Sequence, residues 1–289
     1  MKKPLFSGVC TALVTPFLEG KVNYPMLETL LRRQMEADIK AVVICGTTGE
    51  SATLSDEEKI ELFRRAKAYV GSQMCIIAGT GSNDTIHAVQ LSKEAQLAGA
   101  DALLVVSPYY NKATPDGLVA HYMSVAHAVK IPVILYNVPS RTGVDIPISV
   151  YKRLSAIPNI AGVKEATTSI TKIAQVIAQC PRDFTVWCGN DDMVTAEMAL
   201  GAKGVISVLS NVYPVETMTM TEAALAGDFD TAAAIQCSML PVIDALFTEV
   251  NPIPVKAAMK LAGFDCGGCR LPLTDASPET KKKLEAYIS

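Results

Sequence analysis

Only three histidines and one tryptophan occur in the 289 residues, and aromatic side chains make up 6% of them. No HExxH motif or clustered His/Asp set accompanies so few imidazoles, so no metal is expected. His87, His121 and His127 all fall in helix-like stretches and read as surface or packing residues. Charge is sparse too, at 19% of residues with a formal net charge of −3. A phosphate backbone needs a basic face, so nucleic acid is not expected as a partner. The apolar content of 49% is enough for a large core and argues against wholesale disorder. Yet no stretch of about 18 unbroken apolar residues is present, and no transmembrane helix or membrane partner is expected. The opening MKKPLFSGVCTALVTPF sets two lysines before an apolar run, but Pro4, Ser7, Gly8 and Thr11 interrupt it, and it reads as a strand rather than a signal peptide. The GxGxxG turn is missing as well. Its nearest approach, Gly79-Thr-Gly81, lacks the third glycine, and no nucleotide or other cofactor is expected.

The eight cysteines carry no paired zinc spacing. Cys10, Cys45, Cys75 and Cys188 lie in apolar runs, where a thiol acts as a small hydrophobe. Cys266-Gly-Gly-Cys269 is a lone CxxC without a second ligand pair, which reads as reduced cysteines near a turn. Reduced thiols point to the cytoplasm.

What the chain does have is alternation. Short apolar runs occupy 9–16, 41–46, 74–79, 102–108, 132–137, 160–166, 184–189 and 204–209. They are too short for helices and mostly continuously apolar, as strands covered on both faces should be. Helix-like stretches lie between them at 25–38, 55–70, 83–98, 115–129, 147–156, 169–179, 191–200 and 214–226. The second opens with Ser55-Asp-Glu-Glu58, an N-cap with a glutamate three residues on. Eight βα units predict an α/β fold, a (β/α)8 TIM barrel over 1–226. An open doubly wound sheet is the alternative, and it would ordinarily carry the nucleotide turn that is missing. Residues 227–289 break the alternation and read as a C-terminal helical extension, with helices near 228–248, 252–262 and 277–287.

In a parallel barrel the reacting groups gather at the C-terminal ends of the strands. Lys164 stands out there, in Ile160-Ala-Gly-Val-Lys164. With period two, Ile160, Gly162 and Lys164 share one face. A lysine in an apolar strand is costly when charged and unpaired; desolvation favours the neutral amine, the form that attacks a ketone. A structural ion pair, for example with Glu165, explains the lysine equally well. Tyr136 closes the preceding run, close enough on an adjacent strand to shuttle protons for a Schiff-base lysine, or to be an ordinary core tyrosine. GTTGE at 46–50 offers hydroxyls and amides to a carboxylate, or is a threonine-capped turn. Arg141 offers a planar fork to a second carboxylate, or is a surface residue.

Together GTTGE (46–50), PYYNK (108–112), YNVPSRTG (136–143) and GVKEA (162–166) resemble the dihydrodipicolinate synthase family, within the wider N-acetylneuraminate lyase group. The resemblance spans essentially the whole chain. It implies a Schiff-base lyase, 4-hydroxy-tetrahydrodipicolinate synthase, in diaminopimelate and lysine biosynthesis: pyruvate forms an imine on Lys164, and the derived enamine attacks L-aspartate 4-semialdehyde. It implies a proton relay of Tyr136, Thr47 and Tyr110, the last supplied by a neighbouring subunit, hence a homotetramer built as a dimer of dimers. Thr47 and Thr48 match the pyruvate-carboxylate pocket, Arg141 the semialdehyde carboxylate, and Gly189 and Ile206 the pocket lining. Ser51, Ala52, Asn83, His87 and Tyr109 match the family's lysine-feedback site. There Asp56 and Lys59 replace the usual histidines and His87 a usual glutamate, so weak or absent lysine inhibition is expected. Relatives that cleave sialic acid or keto-deoxy sugar acids usually lack the arginine at position 141, which favours the synthase. A non-catalytic keto-acid-sensing barrel is the rival from another class.

Overall fold

The computed structural model describes residues 3–288. Eight strands close into one parallel barrel: β1 (Gly8–Ala12), β2 (Ala41–Ile44), β3 (Cys75–Gly79), β4 (Ala102–Val106), β5 (Val133–Asn137), β6 (Ile160–Glu165), β7 (Thr185–Cys188) and β8 (Gly204–Ser207). Each pairs with its successor, and β8 returns to β1 through Gly8↔Gly204 and Cys10↔Ile206. Every apolar run is therefore a barrel strand, and the open-sheet alternative falls.

The connecting helices follow from local chemistry. In Asp56–Val70 the expected capping box is present, with Glu58 N–H donating to Ser55 Oγ at 3.2 Å and Ser55 N–H to Glu58 Oε2 at 3.0 Å. Pro115 and Pro214 open their helices, where a missing N–H leaves no bond unmade. Pro139–Thr142 forms a one-turn helix that the pattern did not predict; four residues are too few to display a period.

Two apolar layers result. Leu30, Leu62, Leu103 and Val163 belong to the outer layer between strands and helices. Cys10, Val43, Ile77, Leu104, Ile134 and Ile206 fill the barrel interior. Phe6 plugs that interior by stacking on Trp187 with ring centres 5.0 Å apart, while the indole N–H donates to the Phe6 carbonyl at 3.2 Å. Such an aromatic pair adds roughly 0.5–1.5 kcal/mol beyond its buried area.

β6 departs from the expected alternation. Ile160 packs in the outer layer with Val163, and Ala161 packs on the interior cluster. The cause is a break in the ladder: Val133 pairs Ile160, but the next residue, Ile134, pairs Gly162. A Cβ at Gly162 would lie 1.9 Å from the Thr185 carbonyl oxygen, so only glycine lets β6 and β7 approach there. Beyond the break the alternation resumes and Lys164 faces inward.

The C-terminal residues form helices Phe229–Leu246, Ile253–Leu261 and Pro278–Glu285. By length and composition the first could cross a membrane, contrary to expectation. Its Ala232, Val242 and Ile243 are buried, and Gln236 donates to the Asp191 carbonyl at 2.8 Å and accepts the Thr195 N–H at 3.3 Å. One face of the helix is thus spent on the end of β7 and the helix that follows it.

Gly162→Ala should lower the thermal midpoint by an amount equivalent to roughly 1–3 kcal/mol, the usual range for overpacking. Gly117→Ala, in a helix where the added Cβ meets nothing nearer than 3.4 Å, should hold or raise it. Calorimetry on both variants checks this; an unshifted midpoint for Gly162→Ala contradicts the close approach.

Candidate active site

Tyr136 on β5, Lys164 on β6 and Trp187 on β7 are register partners. Lys164 is 5% exposed, and its amine nitrogen lies 4.6 Å from the centre of the Tyr136 ring. Among the described residues no carboxylate lies within ion-pair distance of it. Glu165, one residue on, points to the outer face of β6. There it accepts hydrogen bonds from Asn137 Nδ2 at 2.6 Å and Tyr151 OH at 2.7 Å, with Lys172 Nζ 3.8 Å away. Burial pushes the Glu165 carboxyl up, and Lys172 opposes the shift. The structural ion pair open in the sequence is therefore absent: the strand puts amine and carboxylate on opposite faces.

A cavity of about 470 Å³ opens over the strand ends. It is lined by Tyr136, Thr47 and Arg141, whose guanidinium donates to the Asn251 carbonyl at 3.3 Å; Lys164 lies behind Tyr136 and is not itself a lining residue, nor is Thr48. Thr48 is buried, and its hydroxyl accepts from Asn251 Nδ2 at 3.0 Å. Gly189 follows β7 and Ile206 sits on β8 in the interior cluster with Tyr136; neither lines the cavity. Tyr110 is 89% exposed, lies outside the cavity and adopts a left-handed backbone with φ 71°. Within one chain it is not brought to Lys164.

Ser51, Ala52, His87 and Tyr109 line the same cavity, and Asn83 does not. Lys59, another lining residue, is nine-tenths buried and pairs with Asp56 Oδ1 at 3.1 Å, while His87 Nε2 meets Asp56 Oδ2 at 2.7 Å. Both oxygens of that carboxylate are occupied. Burial is the largest single influence on the Asp56 carboxyl and pushes it up, but His87 and Lys59 together outweigh it and hold the group below its ordinary value.

Several supporting residues had no signature in the sequence. Glu50, the last residue of GTTGE, is left-handed with φ 54° and almost fully buried. Its carboxylate takes Lys256 Nζ at 2.8 Å and the Arg270 N–H at 2.9 Å. Arg270 grips Glu58 through both guanidinium nitrogens, at 2.7 and 2.6 Å. The helical extension thus clamps the loop carrying Thr47 and Thr48, and Asn251 touches both Thr48 and Arg141. The partners lie between 110 and 220 residues apart in the chain, beyond the reach of any local pattern. Breaking a buried ion pair of this kind costs about 3–5 kcal/mol.

Two acids sit behind the site. Asp191, after β7, accepts the N–H groups of Val208 and Leu209 at 2.8 and 2.9 Å and so joins the ends of β7 and β8; burial pushes its carboxyl up. Glu197 is fully buried with neither oxygen hydrogen-bonded among the described residues, and burial pushes its carboxyl up to about 8 against a smaller pull from the Cys188 thiol.

A model of the "Dihydrodipicolinate synthetase family" matches residues 5–289. The chain belongs to that family. A 4-hydroxy-tetrahydrodipicolinate synthase of Acetivibrio thermocellus is 50% identical over 285 residues, covering 99% of this chain and 96% of that protein. The crystal structure of dihydrodipicolinate synthase from Aquifex aeolicus superposes with TM-score 0.95 at 43% identity over 97% of this chain and 96% of that one. A structure described as the first monomeric dihydrodipicolinate synthase variant gives 0.96 at 38%, covering 97% and 95%. Family membership agrees with the barrel, the helical extension and the inward lysine.

Glu197 yields a prediction whose sign can be worked out. Its folded value of about 8 stands above the ordinary 4.5. Between those values the folded chain holds a proton that the unfolded chain has released, so its contribution to stability is full below pH 4.5 and is lost as pH rises through 8. Glu197→Gln cannot titrate. Its melting midpoint relative to wild type should rise steadily from pH 5 to pH 8; a difference independent of pH excludes a neutral buried Glu197.

Proposed function

We propose that this chain condenses pyruvate with L-aspartate 4-semialdehyde to 4-hydroxy-tetrahydrodipicolinate through an imine on Lys164. The observation that carries the reading is the buried amine, free of any carboxylate partner among the described residues, beside a tyrosine that faces an open cavity.

The neutral amine adds to the ketone carbon of pyruvate, giving a carbinolamine. The hydroxyl leaves as water once protonated, and the iminium then gives up a methyl proton to become the enamine. Tyr136 is the nearest phenol to the nitrogen and serves as the proton carrier, with Thr47 beside it on the cavity wall. The enamine carbon attacks the semialdehyde's aldehyde carbon and regenerates the iminium. The substrate's own amino group then attacks the iminium carbon, closing the ring, and the bond from that carbon to Lys164 breaks, releasing the lysine as its amine. Thr47 and Thr48 hold the pyruvate carboxylate, and Arg141 the carboxylate of the semialdehyde. Gly189 and Ile206 stay behind the cavity wall, Ile206 in the interior cluster with Tyr136.

Tyr110 belongs to the relay of a second copy. Its near-complete exposure and left-handed backbone suit a side chain held out toward a partner rather than one packing on its own chain. A homotetramer of two such dimers is the assembly proposed, and the monomeric variant among related structures marks it as separable from the fold. The unpaired cysteines suit a cytoplasmic enzyme.

Borohydride reduction with pyruvate should add one pyruvate-derived group per chain, mapping to Lys164, and none to Lys164→Ala; an adduct mapping to another lysine sinks the mechanism. Tyr136→Phe should keep its fold and lose about 10²–10⁴-fold in kcat. The family's lysine-feedback residues support a different expectation. With both Asp56 oxygens occupied and Lys59 adding positive charge, an incoming ammonium finds no free carboxylate there. Half-inhibition by L-lysine should therefore require concentrations above the millimolar range, measured in the coupled semialdehyde assay.

A further inference from the structure

Asn137 directly follows Tyr136 on β5, and its side chain is fully buried on the outer face of the barrel. Its amide nitrogen donates to Glu165 Oε1 at 2.6 Å and to Asp145 Oδ1 at 2.8 Å, and its amide oxygen accepts the Ile146 N–H at 3.1 Å. Glu165 directly follows Lys164 and is the register partner of Asn137. The bond between them therefore crosses from β5 to β6 one residue beyond the Tyr136–Lys164 pair, on the opposite face. Glu165 is itself fixed by Tyr151 OH at 2.7 Å and the Thr167 N–H at 3.1 Å.

A cross-strand tie is needed at that place. The β5–β6 ladder slips by one residue between Val133 and Ile134, only two positions before Tyr136. The other two bonds of Asn137 close the base of segment 138–146, which carries Arg141. One amide thus reaches the strand of the phenol, the strand of the amine and the loop of the guanidinium. Neither Asn137 nor Glu165 lines the cavity.

We propose that Asn137 and Glu165 are positioning residues: their buried bond holds Tyr136 at its working distance from Lys164, and through Asp145 and Ile146 it aims Arg141 at the second substrate. This rests on the reading of Lys164, Tyr136 and Arg141 given above. A misplacement of about 1 Å in a reacting group can cost on the order of 10²-fold in rate.

The test counts competent sites before measuring rates. Pyruvate trapped on Lys164 by borohydride gives the number of working lysines in each preparation, and turnover is divided by that number. Asn137→Ala and Glu165→Ala should each fall about 100-fold in turnover per trapping site. Asn137→Ala should also raise KM for the semialdehyde more than KM for pyruvate, because Arg141 is released. Glu165→Gln keeps an oxygen for Asn137 and Thr167, and its amide can donate to the Tyr151 hydroxyl, so it should recover at least tenfold over Glu165→Ala. If an alanine variant does not fold, Asn137→Ser carries the same expectation at about tenfold. Wild-type protein that traps no pyruvate removes the underlying mechanism instead. Variants with fewer trapping sites but unchanged turnover per site overturn the positioning role and leave the pair purely structural.

Discussion

Everything at this site depends on one arrangement that water would not permit: an amine enclosed by the barrel with its neighbouring carboxylate turned the other way. Taking an ammonium out of water is expensive, and proteins usually meet that cost with a buried carboxylate. Here Glu165 stands next in the chain, yet the pleat sends it to the outer face, where Asn137, Tyr151 and Lys172 satisfy it. The interior offers Lys164 an aromatic ring instead. Such a ring attracts a cation through its quadrupole without the full charge of a carboxylate. The strand's period of two thus does chemical work, separating an acid and a base that sequence alone sets side by side.

The amine needs company at the right distance, and that company comes from remote parts of the chain. Thr47 and Thr48 sit on a loop with no regular structure of its own beyond a 3-10 turn. Glu50 anchors that loop to Lys256 and Arg270 in the C-terminal extension, and Asn251 of the same extension bonds Thr48 and Arg141. The extension is therefore not an appendage to the barrel. It is the outer wall of the site, and it explains why the chain continues after the eighth βα unit has closed the sheet.

How much of this was legible beforehand follows from the range of the interactions involved. The eight strands, their helices and the capping box at Ser55 are local patterns, and all stand where the periodicity put them. Lys164 was legible because an apolar strand with a lysine in it is anomalous within five residues. The face of Ile160 was misjudged because strict alternation assumes an unbroken ladder, and the slip beside Gly162 depends on β5 and β7, which the β6 sequence does not contain. Glu50 closes a run that offers its hydroxyls and amides to a carboxylate or forms a threonine-capped turn, and neither reading foretells that its own carboxylate is taken by partners about 200 residues away. Asn251 and Arg270 had no local signal at all.

The residues proposed for the imine chemistry and for the choice of aldehyde also sit on different kinds of backbone. Lys164 and Tyr136 lie within paired strands of a closed barrel, beyond the slip in the β5–β6 ladder, so they move only if the sheet moves. Arg141 lies on a one-turn helix whose segment is tied to the barrel through Asn137, which bonds Ile146 and Asp145, and through the ion pair of Asp145 with Lys172. Rigid placement suits a pair that must react with each other, whereas a tethered loop can be re-aimed by a few substitutions without disturbing the core. A barrel that forms an imine with pyruvate can on this view change its aldehyde partner through segment 138–146 alone, and the tether at Asn137 is the point where that freedom meets the fixed chemistry of the sheet.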